Sequence, residues 1–264
     1  MCILLGPFAL STASAQVSVI GDLSQDREAQ PGTTYDGTII VKNDGTGPAE
    51  VKIYQTDYLF SCEGTSTYGD AGTNPRSNAR WIQFSPSSAI IPPQSTQTVA
   101  YTVSVPADAA IQQLVGTFWS MLMIEGITPG SPESNLAAKK SGMGIRQTLR
   151  YGVQIATHIS HTGTKSVKFL RVKLVTEKSG TPALQIDLED TGTLGFRPDV
   201  YVELFDAKGS SRGKFPGARY RMYPGTSVRQ IIEVGSISPG SYKALVVVDA
   251  GGEDVFGAQY SLDF

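Results

Sequence analysis

The chain has 264 residues, which is enough for two domains of ordinary size, and its formal net charge is −2. Hydrophobic residues make up 40% of the sequence and charged residues only 17%, a balance typical of a folded protein with uncharged turns. Lysine and arginine are scattered rather than clustered. The composition therefore gives no reason to expect nucleic acid or an anionic membrane surface as a partner.

Residues 1–15 contain no charged side chain and hold two short apolar runs. Ala13 and Ala15 precede Gln16 in the small-residue pattern at which signal peptidase cleaves. We therefore predict a signal peptide over residues 1–15, and with it a periplasmic or extracellular location. The apolar runs are too short to span a bilayer.

Cleavage at this point would remove Cys2 and leave Cys62 as the one cysteine of the mature chain. An internal disulfide is then not expected. Because no histidine lies near Cys62 in the sequence, we expect a packed thiol there rather than a nucleophile.

Strand patterns recur at short spacing in the first half of the chain, at 16–20, 34–41, 49–58, 99–105 and 116–124. The segment 99–105 alternates apolar and polar residues, which indicates one buried and one solvated face. The segment 116–124 is apolar almost throughout, as expected for a central strand that is covered on both faces. Long loops rich in small polar residues are predicted at 61–80 and 126–142.

A single long strand is predicted at 143–155, because apolar and polar residues alternate along it. The apolar set is Met143, Ile145, Leu149, Tyr151, Val153 and Ile155. Residues 158–163 are polar and are interpreted as the connection between two domains.

The remaining predicted strands lie at 167–177, 183–188, 200–205, 227–234, 243–249 and 255–264. Gly240-x-Tyr242 precedes the penultimate segment and predicts a tyrosine corner, in which the phenol bonds to upstream backbone. No helix longer than one or two turns is indicated. The sequence therefore predicts an all-β protein with two immunoglobulin-like β-sandwich domains in tandem, over residues 16–160 and 161–264.

Four segments carry a family resemblance: Val41-Lys42-Asn43, Phe84-Ser85-Pro86 leading to Ile91-Pro92-Pro93-Gln94, Pro106-x-Asp108 followed by Phe118-Trp119, and the strand at 143–155. They resemble the N-terminal domain of the PapD-like periplasmic pilus chaperones, which also pair two immunoglobulin-like domains behind a signal peptide. The resemblance as a whole covers roughly half of the mature chain.

The resemblance implies that the strand at 143–155 is an edge strand, which an incomplete pilin subunit takes as its missing strand. Main-chain hydrogen bonds would hold the pair, and alternate apolar side chains would fill the groove of the subunit. Those plugs would be Ile145, Leu149, Tyr151 and Val153. The alternative interpretation is that these side chains pack the core of their own domain, because a strand of any sandwich has the same pattern.

The family also anchors the terminal carboxylate of the subunit with two basic residues in the cleft between the domains. The resemblance places Gln154 where the lysine of that pair is expected, and residues 17–23 lack the matching arginine. An amide lacks the charge that makes such a contact strong. Arg146 and Arg150 are the neighbouring candidates for that charge, although arginines on exposed strands often serve edge protection.

No catalytic motif is present, and we predict no enzyme activity, no cofactor and no metal. His158 and His161 point apart in an extended segment, and the acidic turn at 249–254 lacks the spacing of calcium loops. Trp81 and Trp119 lie on core-like strands, so burial is favoured over a sugar-stacking platform.

Three hypotheses follow. The first is an exported, non-catalytic, chaperone-like protein that binds an extended strand of a pilus or envelope subunit through residues 143–155. The second is a cell-surface or matrix module that binds cell-wall polysaccharide or a surface protein through its long loops at 61–80 and 126–142. The third is a structural component of a pilus or surface layer.

Overall fold

The computed structural model of the protein describes residues 17–107, 114–137 and 148–264. These residues form β-strands and one short 3₁₀ turn, Ala79–Trp81, which confirms the all-β prediction. The strands are β1 (Val17–Ile20), β2 (Ser24–Ala29), β3 (Thr34–Asn43), β4 (Ala49–Phe60), β5 (Ser66–Gly69), β6 (Ile82–Ser85), β7 (Ser88–Ile91), β8 (Thr96–Ser104), β9 (Thr117–Ile127), β10 (Arg150–Ile159), β11 (Val167–Thr176), β12 (Pro182–Asp190), β13 (Asp199–Phe205), β14 (Ser211–Pro216), β15 (Ser227–Glu233), β16 (Ser241–Asp249) and β17 (Val255–Asp263). Within the described residues, no helix has the length and apolar character needed to cross a membrane.

Strands β1 to β10 form the first sandwich. One sheet has the order β1-β3-β8-β6, and the facing sheet has the order β2-β10-β9-β4-β5 with β7 added to β4. Alternation along each strand directs apolar side chains into the space between the sheets. The core there includes Ile39, Val41, Val99, Leu122 and Ile155.

Strands β11 to β17 form the second sandwich, from a sheet β11-β12-β15 and a sheet β14-β13-β16-β17. Its own apolar core includes Leu184, Val202, Met222 and Val246. At its corner the Tyr242 hydroxyl donates a hydrogen bond to the Ser238 carbonyl oxygen at 2.9 Å. The Gly240-x-Tyr242 motif therefore forms the predicted tyrosine corner.

Strand β9 is central and covered on both faces, as its continuous apolar sequence predicts. It pairs with β10 on one side and with β4 on the other. Leu122 and Ile124 face the core of the first sandwich. On the opposite face, Trp119 stacks against Tyr223 of the second sandwich with a centroid distance of 4.6 Å. Trp119 is therefore buried, as predicted, by a side chain from the other sandwich.

The chain crosses from one sheet to the facing sheet between β1 and β2, which the sequence did not indicate. Strand β1 pairs antiparallel with β3, but β2 crosses to the facing sheet and runs parallel to β10. Its sequence, Ser-Gln-Asp-Arg-Glu-Ala, has low strand propensity, so its pairing depends on its position in the folded chain.

Two predicted boundaries near the connection were wrong. The strand predicted at 143–155 is Arg150–Ile159, so His158 belongs to it rather than to the connection. Tertiary pairing extends the strand, because β2 and β9 bond to its last residues. Residues 143–147 lie outside the described residues.

Candidate functional site

Strand β10 has one open stretch of edge. Strand β9 pairs with it from Arg150 to His158, whereas β2 pairs with it only from Gln154 to Ile159. The first residues of β10 are therefore paired on one side only within the part of the chain that the structure describes. We call residues 149–153 the open edge.

The direction of the backbone groups follows from one hydrogen bond. The Gln154 amide donates to the Leu23 carbonyl oxygen at 2.8 Å, on the β2 side of the strand. Because successive residues of a strand point their N–H and C=O groups to opposite sides, Gly152 and Arg150 direct theirs to the same side as Gln154. Leu149 points its carbonyl the other way, towards the Gly126 amide of β9 at 3.5 Å. Gly152 and Arg150 are thus the groups that an added strand would meet.

Along the open edge, the apolar side chains become more exposed from Val153 towards Leu149. Val153 is 0% exposed and packs in the first core, whereas Leu149 is 37% exposed. Tyr151, between them, is partly buried against that core. At Val153 the structure matches the alternative interpretation, in which the side chain serves its own domain. The predicted plug Ile145 and the predicted basic residue Arg146 lie outside the described residues.

Arg150 is held by the neighbouring strand. Its Nε lies 3.0 Å from Glu125 Oε2, which also accepts a hydrogen bond from the Tyr54 hydroxyl at 2.8 Å. Burial acts to raise the pKa of Glu125, but these two partners outweigh it and hold the pKa below its usual value. The charge of Arg150 is therefore balanced by Glu125 in this arrangement, and its role towards a carboxylate stays a prediction.

Gln154 contacts the second sandwich. Its Oε1 accepts a hydrogen bond from the Tyr223 hydroxyl at 3.0 Å. The same tyrosine ring covers Trp119. Gln154 therefore contributes to the contact between the sandwiches through an uncharged hydrogen bond.

The sequence did not indicate the charged group beside this contact. Arg221 of the second sandwich forms an ion pair with Asp26 of β2, and His158 Nε2 lies 3.6 Å from the same carboxylate. Burial acts to raise the pKa of Asp26, but His158 and Arg221 together lower it below its usual value. No local pattern around Arg221 signals this role, because its partner lies 195 positions away in the chain.

His158, Asp26 and Thr117 together resemble the parts of a nucleophilic site. The Thr117 hydroxyl lies 2.7 Å from His158 Nδ1. It also accepts a hydrogen bond from the Gly195 amide at 2.7 Å, and Thr117 is 0% exposed. A substrate cannot reach this oxygen in the folded chain, so the three residues connect strands and sandwiches rather than form a reaction centre.

The loop predicted at 61–80 is folded against both sandwiches. The Asp57 carboxylate accepts hydrogen bonds from the amides of Gly72, Thr73 and Asn74 at 3.0, 2.8 and 2.7 Å. Arg76 Nη1 reaches the Thr193 carbonyl oxygen of the second sandwich at 3.4 Å. This part of the loop contributes to the contact between the sandwiches.

The other long loop borders a cavity of about 310 Å³ beside β4 and β9 of the first sandwich. Lys52 crosses it, with its Nζ 2.8 Å from Glu133 and 3.9 Å from Glu125. The described lining residues are Lys52, Glu125, Gly126, Ile127, Thr128, Ser131, Pro132, Glu133 and Thr148. They include no aromatic ring on which a sugar can stack.

One cluster has the donor atoms of a metal site. Cys62, Glu63 and Asp187 bring a sulfur and two carboxylates within 4.8 Å of one another. Arg229 already binds Asp187 through two hydrogen bonds, at 2.7 and 2.9 Å, and lies 3.4 Å from Glu63. A guanidinium therefore occupies the position of a cation. Cys62 itself is buried, as predicted.

The comparisons with known proteins concern the whole chain. No family model and no curated protein matches it. Among solved structures, it is similar to a chain of the chaperone–tip adhesin complex of CFA/I fimbriae, at 11% identity and a TM-score of 0.48, over 93% of this chain and 98% of that one. It is similar to the class 5 fimbriae chaperone CfaA, at 12% identity and 0.47, over 92% and 98%.

A third similar structure is a chain of the CsuC–CsuE chaperone–tip adhesion subunit complex from Acinetobacter baumannii, at 14% identity and a TM-score of 0.47, over 92% of this chain and 98% of that one. Solved fimbrial chaperones are thus among the structures to which this chain is similar.

Proposed function

We propose that this chain is an exported, non-catalytic, chaperone-like protein that binds an extended strand of a pilus or envelope subunit through the open edge of β10. The pairing of β10 carries the proposal, because β2 covers the strand only from Gln154 onwards. The backbone groups of Arg150 and Gly152 then remain for a strand of the partner, in the manner of β-strand addition.

The partner would make side-chain contacts chiefly with Leu149 and Tyr151. Leu149 is already 37% exposed, and Tyr151 is partly buried at the rim of the core. Ile145, which lies outside the described residues, remains a predicted plug. Val153 is not part of the proposal, because it fills the core of its own sandwich.

Gly152 makes room for a side chain of β9 that lies over the open edge. A Cβ at this position would approach the Met121 sulfur to 2.2 Å, so a larger residue would displace the Met121 side chain. We propose that this close packing keeps the strand extended before the partner arrives, which lowers the entropy lost on binding.

A backbone substitution tests the proposal directly. Arg150→Pro removes the backbone amide proton of the first residue of β10, which points to the open side. Proline is tolerated at the first position of a strand. Arg150→Ala is the matched control, because it removes the same side chain and its contact with Glu125 but keeps the amide. We expect the proline variant to lose a partner that is co-purified from envelope extract and the alanine variant to retain it.

Side-chain variants separate the first hypothesis from the second. Leu149→Asp is expected to keep the fold and to lose the captured subunit, since a charge cannot enter an apolar groove. Equal capture by Arg150→Pro, Leu149→Asp and the unchanged chain would show that the partner binds elsewhere. Sedimentation with purified cell wall, unaffected by both variants, would support the polysaccharide-binding module instead.

A further inference from the structure

A buried carboxyl group lies beside the contact between the two sandwiches. Asp190, the last residue of β12, is 0% exposed. Its Oδ1 accepts a hydrogen bond from the Gly192 amide at 2.8 Å, whereas its Oδ2 is buried without a hydrogen-bond partner in the described part of the chain. A buried oxygen of this kind is costly when it carries charge, so the neutral form of the group is favoured.

The turn after Asp190 makes several of the contacts that join the sandwiches. The Thr193 carbonyl oxygen accepts hydrogen bonds from the Thr117 amide at 2.9 Å and from Arg76 Nη1 at 3.4 Å. The Gly195 amide donates to the Thr117 hydroxyl at 2.7 Å. We call these contacts of residues 193–195 with Thr117 and Arg76 the junction. Asp190 lies only three residues from it.

Arg76 is the charged side chain that acts on Asp190 within the described residues. Its Nη1 also donates to the Val115 and Thr117 carbonyl oxygens at 3.1 and 3.2 Å, so it is tied to the first sandwich. On the other elements that pack against Asp190, Ser166 and Thr226 are uncharged and bond to the backbone around it. Lys165 is nearby in the sequence, but its Nζ pairs with Asp254 at 3.3 Å.

Burial decides the protonation of this group. It raises the pKa of Asp190 to about 7, because loss of solvation outweighs the hydrogen bond from Gly192 and the attraction of Arg76. The Arg76 guanidinium is itself partly buried, which lowers its pKa, yet it stays positively charged.

We propose that Asp190 makes the junction sensitive to pH, because the closed junction holds its carboxyl group neutral and an open junction lets water reach Oδ2 and the group ionise. The proposal is independent of the function proposed above, since it concerns only how the two sandwiches hold together.

The sign of the effect follows from linkage. An aspartate that is solvated in the open state has an ordinary pKa of about 3.9, so between this value and about pH 7 opening releases a proton. The closed junction is therefore most stable below about pH 4 and loses stability as the pH rises towards 7. Above about pH 7 both states are ionised and the stability levels off.

Hydrogen exchange at the junction amides tests the proposal. After correction for intrinsic exchange, opening at Thr117 and Gly195 is expected to increase roughly 10- to 100-fold from pH 5 to pH 7 and to level off above it. Asp190→Asn should remove most of this change, because the amide does not ionise. Asp249→Asn is the matched control: Asp249 also accepts a bond from the amide of the glycine two residues later, at 2.9 Å, but in an exposed turn.

A flat profile in the unchanged chain, or the same profile in Asp190→Asn, would overturn the proposal. If Asp190→Asn does not fold, carboxyl-carbon NMR of the unchanged chain gives the answer. A titration midpoint for Asp190 near pH 7 supports the proposal, and a midpoint near that of an ordinary aspartate, about 4, contradicts it.

Discussion

Asn78 is a fully buried polar residue that ties a loop to the two central strands of the first sandwich. Its Nδ2 donates to the Ile155 carbonyl oxygen at 3.0 Å and to the Thr157 hydroxyl at 3.1 Å. Its Oδ1 accepts a hydrogen bond from the Ser120 hydroxyl at 2.7 Å. These three side-chain hydrogen bonds are all directed at β9 and β10, the strands that carry the candidate site.

We expect Asn78→Ala to destabilise the protein by about 2–4 kcal/mol, because it leaves several buried groups unpaired. Urea unfolding followed by circular dichroism measures the loss. Asn74→Ala is the control: Asn74 is less buried and its side chain accepts one bond, from the Arg76 amide at 2.8 Å. This variant should lose about 1 kcal/mol or less, and equal losses in the two variants would contradict the assignment.

A residue's role could be predicted from the sequence only where its cause lies in the neighbouring residues. The packed thiol of Cys62 and the tyrosine corner of Tyr242 could be predicted, because composition or a short motif specifies each. Asn78 and Asp190 were not identified. A polar residue in a Ser- and Asn-rich loop or an acidic turn has the same sequence signature whether it is solvated or buried, and its burial depends on segments far away in the chain.

Gly37 shows how a single strand position couples the two sheets of the first sandwich. It lies opposite Tyr101 in the β3–β8 ladder. A Cβ at Gly37 would lie 2.1 Å from the tyrosine ring, which therefore packs directly over the glycine. From there the Tyr101 hydroxyl donates to Gln25 of β2 in the facing sheet, at 2.5 Å. The glycine thus lets the ring reach the strand that covers β10.

Gly37→Ala should displace the Tyr101 ring and destabilise the protein by about 1–3 kcal/mol, as in other overpacked cores. Chemical denaturation gives this value, and hydrogen exchange in β2 should rise with it. Gly257→Ala in β17 is the control, because its nearest neighbour would be 3.7 Å away. A tolerated alanine at Gly37 would mean that the ring is not held over the glycine.

Strands were predicted correctly where their own sequence has an apolar pattern. They were missed where the strand forms only because a distant segment pairs with it. The alternation of β8 and the continuous apolar run of β9 both lie where the pattern indicates. Strand β2, by contrast, is polar and was not predicted. Its absence from the prediction mattered for the candidate site, because β2 determines where the open edge of β10 ends.

The arrangement of the whole molecule depends on how closely the two sandwiches approach at Gly116. This residue has a φ of +78°, in the left-handed region. A Cβ there would lie 1.8 Å from the Thr193 carbonyl oxygen, which is the acceptor at the centre of the junction. Glycine is thus required twice, once for its backbone conformation and once for space. No sequence pattern could predict the second requirement, because it comes from contact with a separate sandwich.

Gly116→Ala and Gly225→Ala separate these two requirements. Gly225 has nearly the same φ, +77°, but nothing lies within 4 Å of its Cβ position. Both variants carry the strain of a left-handed alanine, about 1 kcal/mol, and only Gly116→Ala adds the clash at the junction. We therefore expect Gly116→Ala to be the less stable of the two by at least about 1 kcal/mol in thermal or urea unfolding. It should also increase cleavage by protease in the connection at residues 160–166, whereas Gly225→Ala should leave that cleavage unchanged. If the two variants match in both measurements, the close approach at Gly116 does not hold the sandwiches together.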